Sequence, residues 1–128
     1  MSFSVDVSKW VERTGDTVEQ ASADVMLALF RGVILDTPVL EGHLRGNWIP
    51  TKGSPAEASA PLSPDPTGNN SLNRVTKFMG SQDLQDDFSI YLTNNLPYAH
   101  RIEYGWSTIK APEGMVRKNV KKIQNKLL

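Results

Sequence analysis

The sequence predicts one domain of the α+β class, and three observations carry that expectation. Apolar residues recur at helical spacing across residues 8–36, and again across 70–83 and 114–127. Between those helices stand two short stretches, 47–51 and 88–94, that read as strands. A chain of 128 residues has material for one modest core and not for two, so the expected domain spans residues 1–128.

The first helix can be capped by Ser8. Val18, Ala21, Val25, Ala28 or Leu29, and Val33 form its apolar stripe. Met26, Phe30 and Ile34 widen that stripe, so the second half is expected to be the more buried. Gly15 weakens or breaks the helix, in which case Asp16 caps a restart with Glu19 reaching back. Thr37-Pro38 ends it, because a residue preceding proline is pushed out of the α region.

"TPVLEGHLRGNWI", residues 37–49, begins as a loop and leads into the first strand. Residues 50–73 hold five of the eight prolines, with several Ser, Gly and Asn and no period, so they read as an extended loop within the domain. Loops this long are commonly functional or disordered. The expectation is a segment that is mobile in the free subunit, orders on assembly, and can be deleted over 54–68 without unfolding the chain. In the helix at 70–83, Leu72, Val75, Phe78 and Met79 share a face. In the second strand, Phe88, Ile90 and Leu92 alternate with Ser89, Tyr91 and Thr93. Residues 98–104 permit helix or strand, with Tyr98 and Ile102 at i, i+4, and a short helical turn is favoured. Met115, Val116, Val120, Ile123 and Leu127, with Arg and Lys between them, make an amphipathic C-terminal helix.

Composition narrows the function classes. Apolar content of 39% and charged content of 22% are ordinary for a folded chain. Zero net charge removes a global case for polyanion binding. No stretch approaches the run of about 18 apolar residues a membrane span needs. The start "MSFSVDVSKW" lacks the basic and apolar regions of a secretory signal, so folding in the cytoplasm is expected. With no cysteine, disulfides, thiolate chemistry and Cys-based zinc sites are excluded.

The densest chemistry lies in "TNNLPYAHRIEYGWS", residues 93–107. His100 with Glu103, and His43 with Glu41, are spaced too generically for a metal site of three or four ligands. There is no G-x-S-x-G, no phosphate loop and no G-x-G-x-x-G. Glu103 beside His100 could serve as a general base, but a structural glutamate held by a salt bridge is the stronger reading. No enzyme and no cofactor is therefore expected. Arg117, Lys118, Lys121, Lys122 and Lys126, with Lys110, face only Glu113, whereas 6–24 is acidic on balance. A solvated face is the default for such a run. An accessory protein that binds nucleic acid is the alternative, and the opposed ends equally suit pairing between copies of the chain. Tyr98, Tyr104 and Trp106 either complete the core or anchor an interface, where Tyr, Trp and Arg are enriched.

Two blocks carry a family resemblance. "TPVLEGHLRGNW" resembles the T-P-V-x-T-G-x-L-R block of tailed-phage head–tail connector proteins, with Glu41 where that family more often has Thr. "LTNNLPYAHRIEYGWSTIKAPEGMVRKNV" resembles their N-x-x-P-Y-A-x-x-[LIV]-E-x-G-x-S…A-P-x-G-M block. These are the tail-completion or neck proteins of lambdoid and related phages, also known as minor tail proteins. The resemblance covers nearly the whole chain apart from 50–73. It implies a long N-terminal helix packed on a small, mostly antiparallel sheet, with a shorter middle helix and a C-terminal helix. It also implies a structural subunit of a hexameric ring between the head connector and the tail terminator or tube, with DNA passing through the channel and no membrane partner. The motif residues are Gly42 and Leu44, with Arg45 and Trp48, at the turn before the first strand. Pro97, Tyr98 and Ala99 position the next segment, followed by Arg101. Glu103 and Gly105 form the E-x-G signature beside Trp106, and Pro112, Gly114 and Met115 lead into the last helix. Arg117, Lys118, Lys121 and Lys122 are candidate channel or partner contacts.

Overall fold

The computed structural model describes residues 11–13, 15, 17–39, 42–57, 60–82, 89–97, 99–104 and 114–127. In chain order the described elements are α1 (Val18–Asp36), α2 (His43–Gly46), β1 (Trp48–Lys52), α3 (Asn69–Ser81), β2 (Ile90–Asn94), α4 (Ala99–Glu103) and α5 (Val116–Leu127). The α+β class holds: a long helix, a two-stranded antiparallel sheet, and further helices.

The break at Gly15 is real. Residues 11–13 are helical, and Gly15 then takes a left-handed conformation at φ 73°. The restart is capped one residue later than expected. Thr17 Oγ1 accepts from the Gln20 amide and Gln20 Oε1 accepts from the Thr17 amide, both at 3.2 Å. Thr17/Gln20 thus replaces the expected Asp16/Glu19 pair; Asp16 lies outside the described residues, and Glu19 is exposed. Both pairs satisfy the i, i+3 pattern of a capping box, so pattern alone does not choose between them. Ala21, Val25, Phe30, Val33 and Ile34 are buried. Leu29 rather than Ala28 joins the stripe, and Val18 at its start is 57% exposed.

Helix α1 stops as the Thr37-Pro38 step demands, with Thr37 extended at φ −69°, ψ 123°. It packs on α3 and α5. Its approach to α5 is close enough that a Cβ on Gly32 would lie 2.1 Å from Asn119 Oδ1. Asn119 is occupied there, donating to Asp36 Oδ2 at 2.9 Å and to the Met115 carbonyl at 2.7 Å.

Four residues are too few to show a helical period, and α2 within the expected loop was not legible for that reason. Strand β1 starts one residue later than expected and pairs with β2 from Trp48↔Asn94 to Lys52↔Ile90. In β2 every residue is half-buried, so the expected clean alternation is absent. One cause is that the 54–57 segment returns over Thr93, whose hydroxyl accepts from the Ala56 amide. Phe88 lies outside the described residues. The core joins Phe30, Val33 and Ile34 of α1 to Leu44, Trp48, Val75, Met79, Ala99 and Met115. Five elements therefore meet in one cluster, with Met115 just before α5.

The long loop departs most from expectation. Its second half is built into the fold. Leu62 accepts from and donates to the Asn47 side chain. Asp65 is 5% exposed, its amide donating to the Gly42 carbonyl at 2.9 Å and its Oδ2 accepting from the Ser71 amide at 3.0 Å. The distal part of the loop, where a freely deletable segment is expected, carries the carboxylate that caps α3.

Candidate functional site

The site is best built outward from Glu103, the last residue of α4. It is 2% exposed. Its Oε2 accepts from the Met115 amide at 2.7 Å, and its Oε1 accepts from the Val116 amide at 2.9 Å and the Arg117 amide at 2.8 Å. These three N–H groups belong to the start of α5, where a helix has unpaired donors and positive dipole. The carboxylate is a helix cap supplied from another helix. Charge-assisted bonds of this kind are the stronger class, and here they hold a group whose burial would otherwise be costly.

Arg117 closes the arrangement from outside. Its Nε stands 3.7 Å from Glu103 Oε1, and its Nη2 donates to the Glu103 carbonyl oxygen. Its guanidinium also lies 4.7 Å from the centroid of the Tyr104 ring, which in turn sits 4.5 Å from the His100 ring. Gly114 makes the approach possible. It adopts φ +77°, and a Cβ there would stand 2.3 Å from Glu103 Oε2. A glycine is required on both counts.

The first block makes a second knot. Thr37 is fully buried; its hydroxyl donates to the Val33 carbonyl at 2.7 Å and accepts from Trp48 Nε1 at 2.9 Å. Arg45 gathers three carbonyls: Leu35 at 3.0 Å and Thr37 at 2.9 Å from Nη2, and Pro66 at 2.8 Å from Nη1. Gly42 caps α2 at φ 87°, where a Cβ would meet Pro66 N at 2.5 Å. Leu44 and Trp48 are core residues. The two blocks touch directly, because Asn94 Nδ2 donates to the Leu44 carbonyl at 2.7 Å.

Of the motif residues, the structure thus brings Gly42, Leu44, Arg45 and Trp48 into one knot, and Glu103, Gly114 and Met115 into the other, with Ala99 in the shared core. Pro97 is exposed at the turn before α4, and Arg101 lies on α4. Tyr98, Gly105, Trp106 and Pro112 fall outside the described residues. Among the basic candidates, Arg117 is engaged as above. Lys118 and Lys122 reach Asp36 at 3.8 and 3.6 Å, while Lys121 is exposed. Part of the charge expected to face a channel or partner is therefore spent tying α5 to the end of α1.

Both oxygens of Glu103 accept backbone N–H groups, and Glu103 and His100 also line the cleft between α1 and β2. Among the described residues no group of three or more His, Asp or Glu side chains could hold a metal ion, and no helix is long and apolar enough to cross a membrane. Sequence reasoning missed Asp65, Asn47, Asn94 and Asn119, whose roles arise from contacts 6 to 83 residues away. Only Asp65 carried a local signal, three residues ahead of the glycine that caps α3.

A cleft of about 690 Å³ lies between α1 and β2, walled by Val25, Met26 and Leu29 on one side and Ile90 and Leu92 on the other. Compared with family models, curated proteins and solved structures, the chain matches none.

Proposed function

We propose that this chain is a structural virion protein of the phage neck, a tail-completion or head–tail joining subunit that forms a ring around the DNA channel and is assembled in the host cytoplasm. The observation that carries the reading is the use made of the two motif blocks. Their described residues cap helices, fill one core and bond to each other through Asn94 and Leu44. Glu103 and Arg45, at the centre of the two blocks, are spent on backbone groups. A fold element that spends its ionisable groups on its own backbone suits a scaffold whose work is to keep shape under load. Head-to-tail contacts between such subunits close into a ring when the rotation permits.

The test is a reconstruction of the virion neck. It should contain ring density into which α1, the β1–β2 pair and α5 fit as one body, several copies per particle. A complete neck with no density for this chain would sink the reading. A steep salt dependence of duplex binding by the isolated protein would instead favour the nucleic-acid alternative.

A further inference from the structure

The solvent face of α5 departs from the rest of the chain in its charge. Arg117, Lys121, Lys122, Gln124, Asn125 and Lys126 are exposed and Lys118 is half-buried beside them, while Asn119, Val120 and Ile123 turn inward. Every side chain on that face carries an N–H donor, and Val116–Leu127 contains no carboxylate and no aromatic residue. The chain as a whole balances 14 basic against 14 acidic residues, so the face reflects segregation of charge and not a general excess of cations.

The arrangement is unfavourable to the helix itself. Arg117 and Lys121, Lys118 and Lys122, and Lys122 and Lys126 are like-charge pairs at i, i+4, where opposite charges would stabilise. Cations in the first turn also oppose the helix dipole, and that turn has no acidic residue of its own. Such a face fits a polyanion. Protein–protein interfaces are depleted of Lys and anchored by aromatic side chains, whereas this face is rich in Lys and has no aromatic anchor. A phosphodiester backbone needs no anchor, because its charges recur along the strand and are met by cations one by one. Lys118, Lys122 and Lys126 follow one edge of the face at i, i+4, i+8, about 12 Å from first to last, a length that several phosphates of one strand span.

The cations are not equally free. Arg117 is committed to Glu103 and Tyr104. Lys118 and Lys122 reach Asp36 at 3.8 and 3.6 Å. Asp36 is itself held by Asn119 Nδ2 at 2.9 Å, which makes it a fixed counter-charge at the edge of the face. Ion pairs this exposed are weak and exchange readily. Lys121 and Lys126 are exposed, and among the described residues no carboxylate stands within ion-pair distance of either.

We propose that the solvent face of α5 is a contact surface for the phosphate backbone of duplex DNA, made by Lys121 and Lys126 and held to low affinity by Asp36, which occupies Lys118 and Lys122. Low affinity suits a duplex that passes the surface rather than staying on it. The proposal deepens the neck reading, on which it rests for the source of the duplex, by naming the helix turned toward the channel.

The test is duplex binding by the full chain, read from the anisotropy of a short labelled duplex as salt is varied. Each phosphate contact adds about −0.9 to the slope of log K against log salt, so two contacts give about −2 and four about −3.5. The native chain should show the shallow slope. Asp36→Asn, which keeps an acceptor for Asn119, should show the steeper one, with affinity at low salt raised about fivefold or more. Lys121→Gln combined with Lys126→Gln should lower the affinity about fivefold or more, and Lys77→Gln, at an exposed cation of α3, should leave it within about twofold. Unchanged slope and affinity in Asp36→Asn would overturn the role of Asp36, and unchanged binding in the double variant would overturn the assignment to α5. A native slope steeper than about −5 would also overturn it, because that needs cations beyond this face. Polyglutamate that displaces the labelled duplex as well as unlabelled DNA of equal charge would assign the face to an acidic protein instead. The expected slopes in a protein missing from the neck would sink the neck reading and leave the surface standing. Their absence from a protein found in the neck would sink the surface alone.

Discussion

Two helices of this protein begin on borrowed carboxylates, and they do so differently. Helix α3 starts at Gly68 and takes its cap from Asp65, which accepts the Ser71 amide from six residues away. Helix α5 follows Gly114 and takes its cap from Glu103, which accepts three amides from 12 to 14 residues away and is braced by Arg117. Asp65 closes a local turn. Glu103 joins two helices that are separate in the chain, so its bonds form only once α4 and α5 have docked. A helix with a local cap can keep part of its stability outside the fold, whereas one capped across the tertiary structure depends on the whole domain.

That contrast can be broken at its strongest point first. Glu103→Ala leaves three helix N–H groups and Arg117 without their partner, and should cost about 3–5 kcal/mol by urea unfolding. A loss no greater than that of Asp65→Ala would remove the distinction between the two caps. The glycines give a sharper pair. Both hold positive φ, but a Cβ on Gly114 would meet Glu103 Oε2 at 2.3 Å, whereas one on Gly68 finds its nearest neighbour, Arg45 Cδ, at 3.1 Å. Gly114→Ala should destabilise by about 2–4 kcal/mol and Gly68→Ala by about 1–2, from backbone strain. Equal losses would show that conformation alone, not approach to the carboxylate, sets the requirement at Gly114. Asp65→Ala is the smallest effect, about 1 kcal/mol for a lost helix cap, and thermal unfolding followed by circular dichroism should remain a single transition.

Local signals explain where the reading of the chain succeeded. The end of α1 at Thr37-Pro38, the break at Gly15, and the amphipathic faces of α3 and α5 were visible because each depends on residues within one or two turns. Glu103 was legible as a residue that would hold backbone or an arginine, because it lacked the partners that catalysis needs. The short α2 was too brief to show a period. The distal part of the 50–73 loop looked like disordered chain by composition, and what orders it are contacts to Gly42, Asn47 and Arg45.

By itself, then, the sequence determined the class of fold, the number of long helices, and a chain without thiol chemistry. Periodicity and composition are properties of neighbours along the chain, and they need no other part of the molecule. Only the tertiary structure decided that Asp65 and Glu103 each cap a helix, that Lys118 and Lys122 are turned toward Asp36, and that β2 lies along an apolar cleft. Those outcomes depend on which distant groups arrive within bonding distance, and a buried polar group takes whatever partner the packing brings to it.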